Sequence, residues 1–125
     1  MPDKAKAVVL VVEDEPLILM DAVQPLEDAG FDVVDAHDGE HALARLKERP
    51  DIDAMFTDVN MPRQLDGVQL ARMVNERRPD VVIVVTSGAI KVERADLPDG
   101  GQFMPKPYRG EHVAKLIEEL VKAAP

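Results

Sequence analysis

Apolar residues in this chain gather into short unbroken runs, separated by longer stretches in which they recur at helical spacing. Val8–Val12 and Val81–Val85 contain no polar position at all. A strand without polar alternation has no face to give to water, so both runs predict central strands of a sheet covered on two sides. Ala54–Thr57 and Gln102–Met104 read as further strands, and Asp32–Ala36 is shorter and mixed, as an edge strand would be. The last helix is the clearest: Val113, Leu116, Ile117, Leu120 and Val121 share one stripe, with Glu111, Lys115, Glu118, Glu119 and Lys122 outside it. That stripe should dock on the sheet. Strands and helices alternate throughout, which is the signature of a doubly wound α/β fold.

Local signals set the element boundaries. Pro16 suits the first position of a helix, but Pro25 lies well inside the same stretch and predicts a kink or an early end near Gln24. Asp38 is placed to cap the helix through Leu43 and Leu46, and Gly67 follows Asp66 at a turn that opens the helix through Val74. The stretch from Ala89 to Gly101 fits least well. It carries Lys91, Glu93, Arg94, Asp96 and Asp99, has few apolar anchors and ends in Leu97-Pro98-Asp99-Gly100-Gly101, so a full helix is not expected there. Repeats, low-complexity tracts and linkers are absent, and residues 1–125 read as one domain with a core from about 7 to 121.

Composition narrows the classes. A length of 125 residues with 46% hydrophobic content is enough for one compact core. The absence of cysteine excludes disulfides and thiolate metal sites and fits a reducing cytoplasm. No apolar stretch approaches the ~18 residues of a membrane span, and Met1–Lys6 is too short and polar for a signal peptide, so a cytoplasmic protein without membrane contact is expected. A formal charge of −9 argues against nucleic acid as a direct partner, because phosphate contacts need clustered Lys and Arg.

The candidate chemistry lies where the strands end. Glu13 and Asp14 close the first apolar run, and Asp58 closes the stretch Ala54–Thr57. Side chains just past the C-terminal ends of parallel strands share one crevice, the place where open α/β sheets bind ligands. Three crowded carboxylates repel unless a cation sits among them, which predicts a divalent metal with oxygen ligands, most naturally Mg2+. Thr86, Ser87 and Gly88 follow the third run, and Lys106 lies between Pro105 and Pro107 after the last strand. A hydroxyl and an ammonium thus join the same edge. Such a set can bind a transferring phosphoryl group: metal and lysine neutralise its oxygens, the hydroxyl donates a hydrogen bond, and one carboxylate attacks phosphorus. His37, His41 and His112 have no metal-ligand spacing and are expected in solvent.

VVEDEP, FTDVNMP, DG, VVTSG and FMPKPY, in that order from about Ala7 to Val121, resemble the receiver domains of bacterial two-component response regulators, in particular the chemotaxis-type single-domain regulators. The resemblance implies a five-stranded parallel sheet in the flavodoxin-like order 2-1-3-4-5 with helices on both faces. It makes Asp58 the phosphoacceptor. Asp14 and Glu13 become the acidic pair that holds Mg2+ directly or through water, with Asp58 and the backbone carbonyl of Asn60 completing the site. Thr86 is similar to the family's switch hydroxyl and Lys106 to its phosphoryl-binding lysine, and the Lys106–Pro107 peptide bond is expected to be cis. Phe103 sits where the family keeps a rotating aromatic, often tyrosine. The loop Arg63-Gln64-Leu65 is commonly one residue shorter.

By the same resemblance the phosphodonor is a histidine kinase or a histidine phosphotransfer protein. The partner-binding face is formed by Ala89–Gly101, Phe103 and the last helix, and the protein is a monomer or weak dimer that catalyses only its own phosphorylation and dephosphorylation. No output domain follows the last helix, so a downstream protein is expected to be reached by direct contact, or the chain to serve as a phosphate sink or shuttle. A receiver cut from a hybrid histidine kinase would look similar. An aspartate-nucleophile phosphatase of the haloacid-dehalogenase type also combines Asp, a hydroxyl and Lys with Mg2+. Its D-x-D pattern is broken here by Asn60, and the chain is short for a core plus cap. A receiver-like module that signals without phosphorylation is disfavoured, because all five chemical positions are filled.

Overall fold

The computed structural model describes residues 6–60, 66–88 and 92–123. In chain order the elements are β1 (Val8–Val12), α1 (Pro16–Asp28), β2 (Asp32–Ala36), α2 (Gly39–Glu48), β3 (Ile52–Asp58), α3 (Gly67–Arg77), β4 (Val82–Ser87), β5 (Gln102–Pro105) and α4 (Gly110–Ala123). The five strands form one parallel sheet in the order β2-β1-β3-β4-β5. This is the order 2-1-3-4-5 that the resemblance implied, with the mixed Asp32–Ala36 strand at an edge.

The all-apolar strands are explained by two cores rather than one. Alternate residues point to opposite faces of a strand. Leu10, Val12, Met55, Ile83 and Val85 pack with Leu46, Leu70 and Val74 of α2 and α3. Their neighbours Val9, Val11, Phe56 and Val84 pack with Leu26, Val113 and Ile117 of α1 and α4. Every residue of β1 is therefore buried.

Capping follows the sequence closely. The Asp38 carboxylate accepts from the His41 amide at 2.7 Å at the start of α2. Asp66 and Gln69 form a reciprocal capping box at the start of α3, with bonds of 2.9 and 3.0 Å. Gly30, at φ +98°, allows the tight exit from α1 that an L side chain resists.

The early end expected near Gln24 does not occur: α1 runs through Pro25 to Asp28. A proline inside a helix costs about 3 kcal/mol locally. Leu26, fully buried immediately after it, recovers about 1.5–3 kcal/mol by leaving water. The Pro25 ring also lies against Gly110 at the start of α4, so close that a Cβ built on Gly110 would meet Pro25 Cγ at 2.2 Å. Tertiary packing thus overrides the local break.

The stretch after β4 bears out the opposite expectation. Residues 89–91 lie outside the described residues; from Val92 onward there is one 3-10 turn, Arg94–Asp96, and no α-helix before β5. Arg72 of α3 holds the turn by donating to the Asp96 carbonyl at 3.0 Å. No described helix is long and apolar enough to cross a membrane.

Candidate functional site

Parallel pairing brings the proposed chemistry to one edge. Asp58, the last residue of β3, is the register partner of Thr86 on β4, and Thr86 in turn pairs with Met104 on β5. The Val59 amide extends the ladder to the Thr86 carbonyl at 2.9 Å, and the Lys106 amide reaches the Ser87 carbonyl at 3.1 Å. Lys106 is therefore held by backbone beside β4 before its side chain is considered. Its ammonium lies 2.7 Å from Asp58 Oδ2, while the Asn60 amide donates to Oδ1 at 3.0 Å. Both oxygens of a buried carboxylate are thus oriented. The Lys106–Pro107 bond is cis, as the resemblance implied.

Glu13 joins this group from the end of β1. It is as buried as Asp58, each only 5% exposed. Burial pushes the Glu13 carboxyl up from 4.5 to about 7, and the neighbouring Asp58 and Asp14 carboxylates push the same way. The Glu15 amide, 3.1 Å from Glu13 Oε2, opposes the shift. Tyr108 senses the same field: its phenol is pushed up to about 12, first by burial and then by Glu13, Asp58 and Asp21. Asp14 is half-exposed at the mouth.

Among the described residues no three acidic or histidine side chains gather tightly enough to hold a metal ion by themselves. The site's available donors are oxygens all the same, and a buried carboxylate near neutral pKa beside a second one is a place where a divalent cation relieves repulsion. Mg2+ suits such an open site, because it retains several waters and needs only one or two carboxylates.

Thr86 is 2% exposed, and its Oγ1 has no hydrogen-bond partner among the described residues. A buried hydroxyl left unpaired costs about 1–3 kcal/mol, so an orphan at a strand end invites an incoming acceptor. Phe103 is placed less directly. Its register partner is Val85, not Thr86, and its half-buried ring packs with the α2–α3 core. By strand alternation Thr86 therefore points to the other face.

Two features of the site escaped sequence reading. Gly67 lets the first turn of α3 press on the backbone of β3: a Cβ there would lie 2.3 Å from the Asp58 carbonyl oxygen. On α1, Leu17, Ile18 and Met20 are 76, 38 and 65% exposed. Ile18 shares a cleft of about 590 Å3 with Lys106, Pro107 and Tyr108, which places this apolar face beside the crevice. Helical spacing cannot separate such a face from core. His37 and His112 are in solvent and His41 is half-buried against the His37 ring at 4.3 Å. The Arg63-Gln64-Leu65 departure lies outside the described residues.

Comparison with known proteins agrees with this geometry. Residues 9–118 match the family described as the response regulator receiver domain. The response regulator receiver protein CpdR of Brucella abortus is 32% identical over 119 residues, covering 93% of this chain and 98% of that protein. The transcriptional regulatory protein PdtaR of Mycobacterium tuberculosis is 35% identical over 116 residues, 90% of this chain, but the match spans only 56% of that protein. A crystal structure of a response regulator receiver protein from Sinorhizobium medicae superposes with a TM-score of 0.85 at 32% identity, over 94% of this chain and 96% of that one. The chain belongs to the response regulator receiver family, the phosphoacceptors of two-component systems.

Proposed function

We propose that Asp58 is the phosphoacceptor, taking a phosphoryl group from a phosphohistidine on a histidine kinase or phosphotransfer protein. A carboxylate oxygen of Asp58 forms the new bond to phosphorus as the phosphorus–nitrogen bond of the donor breaks, leaving an acyl phosphate and a free imidazole. The observation that carries this reading is the orphaned Thr86 hydroxyl, in register with Asp58 and ready to donate to a phosphoryl oxygen that is not yet there. Lys106, whose ammonium lies 2.7 Å from Asp58 Oδ2, neutralises a second phosphoryl oxygen. Asp14, Glu13, Asp58 and the Asn60 carbonyl are the residues that would hold Mg2+. The ion supplies charge neutralisation for the phosphoryl oxygens when bound.

The donor approaches over the apolar face of α1, where Leu17, Ile18 and Met20 flank the mouth of the site. Output leaves by protein contact through the segment up to Gly101, Phe103 and α4, and attack of water on the acyl phosphate resets the protein. The unit is a signalling domain of the cytoplasm with its core from about residue 7 to 121, and it turns over no substrate but its own phosphoryl group.

Acetyl phosphate with Mg2+ should add one phosphoryl group, read by intact mass, and Asp58→Asn should abolish the addition. Labelling that survives the substitution would move the nucleophile elsewhere. Release of phosphate from generic phosphomonoesters, without a stable adduct, would favour a phosphatase instead.

A further inference from the structure

On the α2–α3 side of the sheet, away from α1 and the donor face, α2 and α3 leave a groove of about 470 Å3 between them. Its floor is apolar: Leu46 and Val74 are buried and Leu43 is half-buried, while Ala44 stands exposed at the edge. Its rim is basic. Lys47 comes from the last turn of α2, Arg77 from the last turn of α3, and Arg78 from the residue after it.

The charge pattern is the informative part. The chain carries 24 acidic against 15 basic residues, yet three of those cations line this one groove and no acid does. Arg78 is spoken for, donating to the carbonyls of Leu46, Pro50 and Ile52 at 3.0–3.3 Å and pairing with Asp80. It forms a fixed wall. Lys47 and Arg77 are exposed, and neither makes an ion pair among the described residues. Helix dipoles account for a cation at each helix end. They do not account for an apolar floor between two free cations in an otherwise acidic protein.

We propose that this groove docks an acidic, amphipathic segment of a partner protein, an apolar side chain filling the floor and flanking Asp or Glu residues meeting Lys47 and Arg77. Recognition of this kind is the helix-in-groove mode, with anchors at helical spacing. The volume falls at the lower end of ligand sites, so the groove seats a few side chains rather than a domain, and the rim charges supply rate and specificity more than affinity. Because it lies on the opposite layer from α1, the groove can be filled while the phosphodonor face is engaged.

The test uses the full chain and a fluorescein-labelled helical peptide with leucines on one face and glutamates on the other. Anisotropy should show salt-sensitive binding, and amide shifts should centre on Leu43–Lys47 and Val74–Arg78. Charge reversal by Lys47→Glu with Arg77→Glu should weaken binding roughly tenfold or more, since rim pairs become repulsive. Ala44→Gln, which obstructs the groove without touching the core, should weaken it too. Acetyl phosphate labelling of Asp58 should be unchanged in both variants, which shows that they are folded. Equal binding of a lysine-faced peptide, indifference to both variants, or shifts centred on α1 or α4 would overturn the proposal. Binding of phosphatidylglycerol vesicles but not the peptide would overturn it in favour of a membrane.

Discussion

Replacing Gly67 with alanine isolates how tightly the first turn of α3 is pressed on β3 at Asp58. The added Cβ would lie 2.3 Å from the Asp58 carbonyl oxygen, 2.7 Å from Val59 Cα and 2.8 Å from the Asp58 carbonyl carbon. All three are backbone atoms, so no side chain can swing aside. Ordinary carbon–oxygen contacts fall at about 3.3 Å or beyond, and the backbone must therefore give by about 1 Å. Two effects oppose each other. Alanine is the better helix residue by up to about 1 kcal/mol, whereas overpacking of this kind costs about 1–3 kcal/mol. Sterics should win, with a modest net loss of stability.

The larger effect should fall on chemistry, because the strained atoms belong to Asp58 itself. A misplacement of about 1 Å can slow a reaction roughly a hundredfold. The assay is the rate of acetyl phosphate labelling in the presence of Mg2+, with thermal unfolding measured on the same samples. Gly30→Ala is the control: at φ +98° it carries a conformational penalty of about 1–2 kcal/mol, but nothing lies within 4 Å of its Cβ position. That variant should lose stability and keep the wild-type labelling rate. Normal labelling by Gly67→Ala, or equal slowing by Gly30→Ala, would refute the contact argument.

Other outcomes follow from single groups. Glu13 is raised from 4.5 to about 7 in the metal-free fold, so the folded state holds this proton more tightly than the unfolded one. The stability it confers is fully present below pH 4.5 and lost as pH rises through about 7; urea unfolding should show that fall without Mg2+ and its reversal with Mg2+. Arg78→Ala removes donors to three carbonyls and should cost about 2–3 kcal/mol in denaturant unfolding while leaving Asp58 labelling unchanged. Thr86→Ala removes a buried orphan hydroxyl and should be neutral or stabilising. It should keep labelling but lose the NMR response to beryllofluoride at Phe103 and α4.

What the sequence disclosed, it disclosed through burial. Val8–Val12 and Val81–Val85 read as two-sided strands, which put Glu13, Asp14 and Thr86 at strand ends, and the shorter strands before Asp58 and Lys106 brought those two to the same edge. Residues whose role depends on what lies across from them were not legible. Pro25 reads as a helix breaker until Gly110 and Leu26 are seen to hold its turn in place. Gly67 reads as a turn residue until the Asp58 backbone appears against it. The exposure of Leu17, Ile18 and Met20 could not be read either, because hydrophobicity says nothing about which face is covered.

Phe103 shows the same limit and bears on how a signal would travel. The resemblance to the receiver family implies a ring here that fills space vacated by Thr86. The register gives it Val85 as partner and puts it in the core shared with Val92 and Leu97. An inward shift of Thr86 therefore reaches Phe103 through the β4–β5 ladder, where Thr86 pairs with Met104 and Val85 with Phe103, rather than by side chains exchanging one space. Phenylalanine has no hydroxyl to reward either ring position with a hydrogen bond. The bias must come from packing, and the packing partners at hand belong to the described stretch before β5: Val92 is 9% exposed, Leu97 is half-buried, and Arg72 holds the Asp96 carbonyl. A short 3-10 turn is cheaper to displace than a full helix, so small movements of the β4–β5 ladder would suffice to shift its population.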